Sequence, residues 1–134
     1  YDSMWESTKT IALALGSQLE KKGIPYHLMS LGQNHISDVM AEVINAKYIM
    51  VGSSTVNNQM LPTVASFLTY LKGLKPKKRI GLAFGSYGWS GESIAHIEEF
   101  LKGTNMEMLP SVSLTYVPKK EELKKLVEKA LESL

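Results

Sequence analysis

The order of apolar patterns along this chain predicts a three-layer α/β/α fold built on a parallel sheet. Three observations carry the prediction. Amphipathic helical stretches alternate with short apolar runs. The runs are rich in β-branched residues and flanked by glycine or proline. Glycines at positions 23, 73 and 103 stop helical stretches where the periodicity also ends. Strands that alternate with helices of about 10–15 residues are joined by right-handed crossovers, which put helices on both faces of the sheet.

The elements follow in order. Ile11, Leu15 and Leu19 recur every four residues, with Ala12 and Ala14 beside them, so residues 8–22 read as an amphipathic helix ended by Gly23. Pro25 opens a short extended run, Tyr26 to Met29, taken as a strand. Ser37 is placed to cap a second helix whose inner face carries Met40, Val43 and Ile44. Tyr48 to Gly52 is a buried strand by length and composition, followed by a polar loop over 53–61. Pro62 suits the first turn of a third helix, with Ala65, Leu68 and Leu71 on one side and Phe67 adjacent. Residues 79–84 form another buried strand, and a glycine-rich loop runs from Gly85 to Gly91. Ile94, Ile97, Phe100 and Leu101 mark a fourth helix, and Val112 to Val117 the last strand. The final helix has a continuous stripe of Leu123, Leu126, Val127, Ala130, Leu131 and Leu134, with lysines and glutamates outside it.

The chain opens on a helix preceded only by Tyr1-Asp2-Ser3, whereas sheets of this kind begin with a strand. Tyr1 and Asp2 are therefore expected to be the end of a first strand, and residues 1–134 one domain of a longer protein. No repeat, linker or low-complexity tract divides them.

Bulk properties narrow the function. A chain of 134 residues contains no cysteine, which excludes disulfides, thiolate metal sites, iron–sulfur clusters and cysteine nucleophiles within it. The formal net charge of +2, from 15 basic and 13 acidic residues, argues against a dedicated nucleic-acid binder. The basic cluster from Lys75 to Arg79 reads as a solvated turn. No apolar run approaches the roughly 20 residues of a membrane span, and no signal peptide is visible, so a soluble cytoplasmic protein is expected.

Ligands of parallel α/β sheets sit beyond the carboxyl ends of the strands. Three stretches rich in small polar residues fall there. The first, Ser3-Met4-Trp5-Glu6-Ser7-Thr8, runs straight into a helix, whose N-terminal amides and neighbouring hydroxyls favour a phosphate. The plainer reading is an ordinary hydroxyl N-cap. The second, Ser53-Ser54-Thr55-Val56-Asn57-Asn58, offers hydroxyls and amides to the edge of a planar heterocycle, or is simply a surface turn. The third, Gly85-Ser86-Tyr87-Gly88-Trp89-Ser90-Gly91, sets two aromatic faces on a glycine-rich backbone, suited to stacking on a flat ring. Its alternative is that Tyr87 and Trp89 only cover the rim of the core.

These segments carry a resemblance. Tyr-Asp-Ser-Met-Trp-x-Ser-Thr, Val-Gly-Ser-x-Thr-x-Asn-Asn, Tyr-Leu-Lys-Gly-Leu-Lys-Pro and Ala-Phe-Gly-Ser-Tyr-Gly-Trp-Ser-Gly-Glu resemble, in order and spacing, the flavodoxin-like domain of flavodiiron proteins (A-type flavoproteins). The resemblance covers essentially the whole chain, and residues 84–92 are its most specific part. It implies a flavodoxin-like fold and FMN as cofactor. Ser3, Met4, Trp5, Glu6, Ser7 and Thr8 would surround the phosphate. Ser53, Ser54, Thr55, Val56, Asn57 and Asn58 would line one side of the isoalloxazine, and Gly85, Ser86, Tyr87, Gly88, Trp89, Ser90 and Gly91 the other. Glu6 stands where many flavodoxin phosphate loops have glycine, so its side chain must point away from the phosphate. Ser54 stands where proline is frequent, and Val56 cannot stack on the ring, which leaves stacking mainly to Trp89.

The resemblance further implies an electron-transfer module. Its flavin passes electrons to a diiron centre in a metallo-β-lactamase-like domain, of the same parent chain or a dimer mate, which reduces oxygen or nitric oxide. Rubredoxin or a reduced-cofactor reductase would supply the electrons. No residue of this chain is needed as acid, base or nucleophile. His27, His35 and His96 are scattered without metal-ligand spacing and read as structural or surface residues. A free-standing NAD(P)H or quinone reductase is the alternative, although no nicotinamide or quinone site is assignable. A phosphorylated receiver-like module has only Asp2 and Asp38 to offer and leaves Trp89 unexplained.

Overall fold

The structure is a computed structural model that describes residues 1–88, 91–115 and 119–134. Five helices flank a five-stranded sheet among the described residues: α1 (Ser7–Lys21), α2 (Ile36–Asn45), α3 (Pro62–Leu74), α4 (Glu92–Gly103) and α5 (Lys120–Ala130). The strands are β1 (Tyr48–Val56), β2 (Gln59–Met60), β3 (Ile80–Tyr87), β4 (Glu107–Met108) and β5 (Val112–Thr115).

Strand β3 is the axis of the sheet. It pairs in parallel with β1 along one edge and with β4 and then β5 along the other. The β1–β3 register sets Tyr48 opposite Ile80 and Ser54 opposite Ser86. The antiparallel strand β2 closes a hairpin onto the end of β1. Its two-residue turn, Asn57-Asn58, has φ of 50° and 61°, the positive values that a tight hairpin turn needs and that asparagine tolerates.

Alternation along the strands divides the core into two. Ile49, Val51 and Ala83 face one cluster with Val43, Phe67, Leu71, Ile97 and Leu101, supplied by α2, α3 and α4. Leu82, Phe84, Val112 and Leu114 face the other, with Ile11, Leu15, Leu123 and Val127 from α1 and α5. The expected parallel sheet with helices on both faces is present. Gly52 makes room for the Phe84 ring: a Cβ there would overlap it.

Several elements differ from the sequence reading. Strands β1 and β3 run on to Val56 and Tyr87, so Ser53–Val56 and Gly85–Tyr87 belong to strands and not to loops. Their serines are small enough to be buried and find partners, Ser54 and Ser86 on the Thr8 hydroxyl and Ser53 on the Ser54 carbonyl and Leu61 N–H, which offsets the cost of taking their hydroxyls out of water. The run Tyr26–Met29 forms no strand, with Tyr26 to Leu28 exposed and Met29 half-buried, although Tyr1 bridges its end by a bond from its amino group to the Met29 carbonyl and by accepting from Leu31 N–H. Helix α2 is capped two residues before the expected Ser37, by His35, whose imidazole Nδ1 accepts from Ser37 N–H at 3.1 Å. Ile44 is exposed, and Val39 takes its place inside. Strands β2 and β4, of two residues each, are too short for a periodic signal. The end of the last strand expected at Val117 lies outside the described residues.

A cavity of about 520 Å³ opens between the 24–31 run and the Tyr48–Val51 stretch of β1, with Tyr1 also on its wall. No described strand pairs with β1 along that stretch on this side. No helix among the described residues is long and apolar enough to cross a membrane.

Candidate functional site

The carboxyl ends of β1 and β3 converge on the N-terminus of α1, where backbone and hydroxyl groups build the site. The entry to the first loop is fixed by Asp2, which forms a parallel bridge with Ser53 and donates its N–H to the Gly52 carbonyl at 3.1 Å. Its carboxylate then accepts from Ser3 N–H at 2.8 Å and from the Thr63 hydroxyl at the start of α3. Asp-Ser is a natural place for such a local bond, because a short carboxylate reaches the next amides without strain.

At the other end of the loop, Glu6 has φ 67° and ψ −12°, a left-handed conformation that favours glycine. This is the physical reason glycine suits the position. The Glu6 carboxylate lies on the outside, 3.4 Å from Lys9 Nζ, and 77% of the side chain is exposed. The first helical bond of α1 runs from Thr10 N–H to the Glu6 carbonyl at 2.9 Å. The amides of the turn before it precede the helical ladder and carry the partial positive charge of a helix start. The tip is open: Trp5 is 68% and Met4 48% exposed.

Between these ends the loop is stapled to the sheet. Thr8 Oγ1 lies 2.9 Å from Ser54 Oγ and 2.8 Å from Ser86 Oγ, and all three residues are buried. Met4 N–H also donates to Ser54 Oγ at 3.3 Å. Ser53 donates to the Ser54 carbonyl at 2.8 Å and accepts from Leu61 N–H at 2.9 Å. Thr55 Oγ1 lies 2.6 Å from Ser93 Oγ, joining the end of β1 to the first turn of α4. Sequence reasoning placed Asp2 at a strand end and assigned neither it nor Thr63 or Ser93 to the site. The Asp-Ser pair was the one signal available for Asp2.

One hydroxyl stands apart. Ser3 Oγ is buried and has no hydrogen-bond partner among the described residues. A buried polar atom without a partner costs about 1–3 kcal/mol, so it calls for one. Beside a helix N-terminus, that partner fits an anion oxygen. The first loop thus sets a buried, unpartnered hydroxyl three residues ahead of Glu6, the N-cap of α1.

The second and third stretches are brought to the same end of the sheet. Val56 is half-buried, and Asn57 and Asn58 are exposed at the hairpin turn. Gly85 is closed in: a Cβ there would overlap the Ser53 carbonyl oxygen. The Tyr87 ring is half-buried, packs against the α2–α4 side of the core, and lies close to Gly91, where an added Cβ would come within 3.4 Å of it. Gly88 is exposed. Trp89 and Ser90, expected at the ring, lie outside the described residues. The histidines do not join the site. His27 is exposed with its Nε2 3.5 Å from Glu42, His35 caps α2, and His96 is half-buried on α4. No group of three or more metal-ligating side chains forms among the described residues.

Comparison with known proteins adds the lineage. The flavodoxin family model matches residues 1–129. The chain is 40% identical over 130 residues to a nitric oxide reductase of Moorella thermoacetica, covering 96% of this chain and 33% of that protein. It is 45% identical over 108 residues to the rubredoxin-oxygen oxidoreductase of Megalodesulfovibrio gigas, covering 81% and 27%. The solved rubredoxin oxygen:oxidoreductase of Desulfovibrio gigas superposes with a TM-score of 0.93 at 41% identity, over 97% of this chain and 33% of that one. A flavodoxin from the domain Archaea gives 0.85 at 28% identity, over 98% and 95%. The chain therefore spans about a third of the length of the curated relatives it matches.

Proposed function

The chain belongs to the flavodoxin family, and from that premise we propose that it is the FMN-binding electron-transfer module of a flavodiiron oxidoreductase. FMN is the cofactor of the family, and when bound it supplies the redox chemistry while the protein orients it and sets its electronics. The diiron centre that reduces oxygen or nitric oxide would belong to a metallo-β-lactamase-like domain, in the same parent chain or a dimer mate. Rubredoxin or a reductase would be the donor, in the cytoplasm.

The observation that carries the reading is the first loop. It joins an unpartnered buried hydroxyl at Ser3 to the N-terminus of α1, at the carboxyl end of a parallel sheet. Ser3 to Thr8 would hold the phosphate, with Glu6 turned outward to Lys9. Thr55, Val56, Asn57 and Asn58 would border one side of the ring, and Tyr87 to Gly91, with Trp89 as the stacking face, the other. The reading includes one further parallel strand in the cavity beside Tyr48–Val51, leading into Tyr1.

The test is a visible absorption spectrum of the purified full-length protein, followed by titration of its flavin-free form with FMN. Saturable one-to-one binding with quenched flavin fluorescence is expected. Failure of the full-length protein to bind FMN overturns the reading. Fast direct reduction of the bound flavin by NADH or NADPH, without a donor protein, would favour the free-standing reductase instead.

A further inference from the structure

Resting on the reading that the first loop takes the FMN phosphate, we propose that Ser54 and Ser86 are positioning residues for that loop and not contacts for the flavin ring. Both lie on strands that the sequence assigns to the ring side. Yet their hydroxyls turn the other way, onto Thr8 at the loop's end, at 2.9 and 2.8 Å. Ser54 is 1% and Ser86 0% exposed, so neither offers its side chain to a ligand at the surface of the site.

Ser54 does more than meet Thr8. It also accepts the Met4 N–H, so one hydroxyl holds both limbs of the loop, four residues apart. Ser86 buttresses the same Thr8 from the neighbouring strand, at the register position directly opposite Ser54. A hydroxyl has one proton to give and two lone pairs to accept with. With Thr8 between them, the two serines hold one buried hydroxyl from two adjacent strands. Two strand residues thus hold the limbs of the phosphate loop, in addition to the bonds the loop makes at its own ends.

The consequence is a split between the two halves of the ligand. The variant Ser86→Ala removes one hydroxyl and leaves no large hole. It should weaken FMN about tenfold, the equivalent of ~1.4 kcal/mol or one net hydrogen bond. Riboflavin, which has the ring but no phosphate, should bind within about twofold of its unsubstituted affinity. Thr8→Val should reproduce the loss, and Thr8→Ser, which keeps the hydroxyl, should restore most of it. If Ser86→Ala does not fold, Ser54→Ala, which removes the partner of both Met4 and Thr8, should give the same split.

Titrations of the full-length flavin-free protein with FMN and riboflavin, read by fluorescence quenching, decide the matter. Equal losses for the two ligands, or no loss for either, overturn the proposal. Inorganic phosphate, followed through the amide resonances of Ser7, Thr8 and Lys9, keeps it separate from the functional reading. If phosphate shifts these amides but FMN does not bind, the FMN reading fails. The positioning role is then judged by whether Ser86→Ala abolishes the phosphate shifts. If phosphate shifts nothing while FMN binds, the FMN reading stands and the split between FMN and riboflavin alone decides the positioning role.

Discussion

Two polar stretches at the same end of the sheet have opposite characters. The loop Ser3–Thr8 holds its tip in solvent, with Trp5 and Met4 exposed and Glu6 in a backbone conformation unfavourable to its side chain. The stretch Ser53–Val56 has the same serine-rich composition but continues a central strand, and its first two serines are buried and hydrogen-bonded. The difference is one of partners. Hydroxyls with protein partners, as Ser54 and Ser86 have on Thr8, behave as core, whereas the side chains at the tip of the loop, Met4, Trp5 and Glu6, face solvent. A binding site built this way has a soft rim on a hard floor.

The contrast can be broken most forcefully at Gly85. A Cβ there collides with the Ser53 backbone carbonyl, which cannot retreat without opening the β1–β3 ladder. Gly85→Ala should cost about 3 kcal/mol or more in denaturant unfolding, at the upper end for an overpacked core site. A loss below about 1 kcal/mol would mean that this floor yields as easily as the loop. Next is Ser53→Ala, which leaves the Leu61 N–H without its partner and should lower stability by about 1–2 kcal/mol, seen as a lower denaturant midpoint at constant slope.

On the loop, the effects shrink and one changes sign. Glu6→Gly removes the strain of a left-handed glutamate, about 1 kcal/mol, against the greater freedom of glycine in the unfolded chain. The Glu6–Lys9 ion pair lost with it is exposed and worth little. A net gain of about 0.5 kcal/mol in thermal or chemical unfolding is expected. Removing one negative charge near the phosphate should also tighten FMN about twofold, an effect that fades with added salt. A net loss of stability would show that the Glu6 side chain has a structural role. Smallest is Trp5→Ala, expected to change stability by less than about 0.5 kcal/mol because the indole is already in water.

The same contrast explains what could be read from the sequence. Helices α1, α4 and α5 were legible because Ile11, Leu15 and Leu19, or Leu123 and Val127, repeat at helical spacing and are buried as expected. The loop before α1 was legible because hydroxyls directly precede that periodicity. The strand ends were not. Ser53, Ser54 and Ser86 lack apolar character, and the hydroxyls of Ser54 and Ser86 find their partner in Thr8, 46 and 78 residues away, which no local pattern reveals. Tyr26–Met29 failed in the opposite sense: it is apolar and extended, but a strand exists only where a neighbour pairs with it. Asp2 was read as a strand remnant, which its bridge to Ser53 supports, while its side-chain hold on Ser3 and Thr63 was invisible without the fold.

The division of the core by the sheet bears on how the chain tolerates change. Residues such as Ile97 and Val127 lie in separate clusters, with the backbone of β3 between them. Truncations on the two sides share no neighbours, so the cost of Ile97→Val and Val127→Ala together should equal the sum of the single costs within about 0.5 kcal/mol. Each face can then drift in sequence without waiting for the other. The serines and glycines of β1 and β3, which lie between both, have no such freedom.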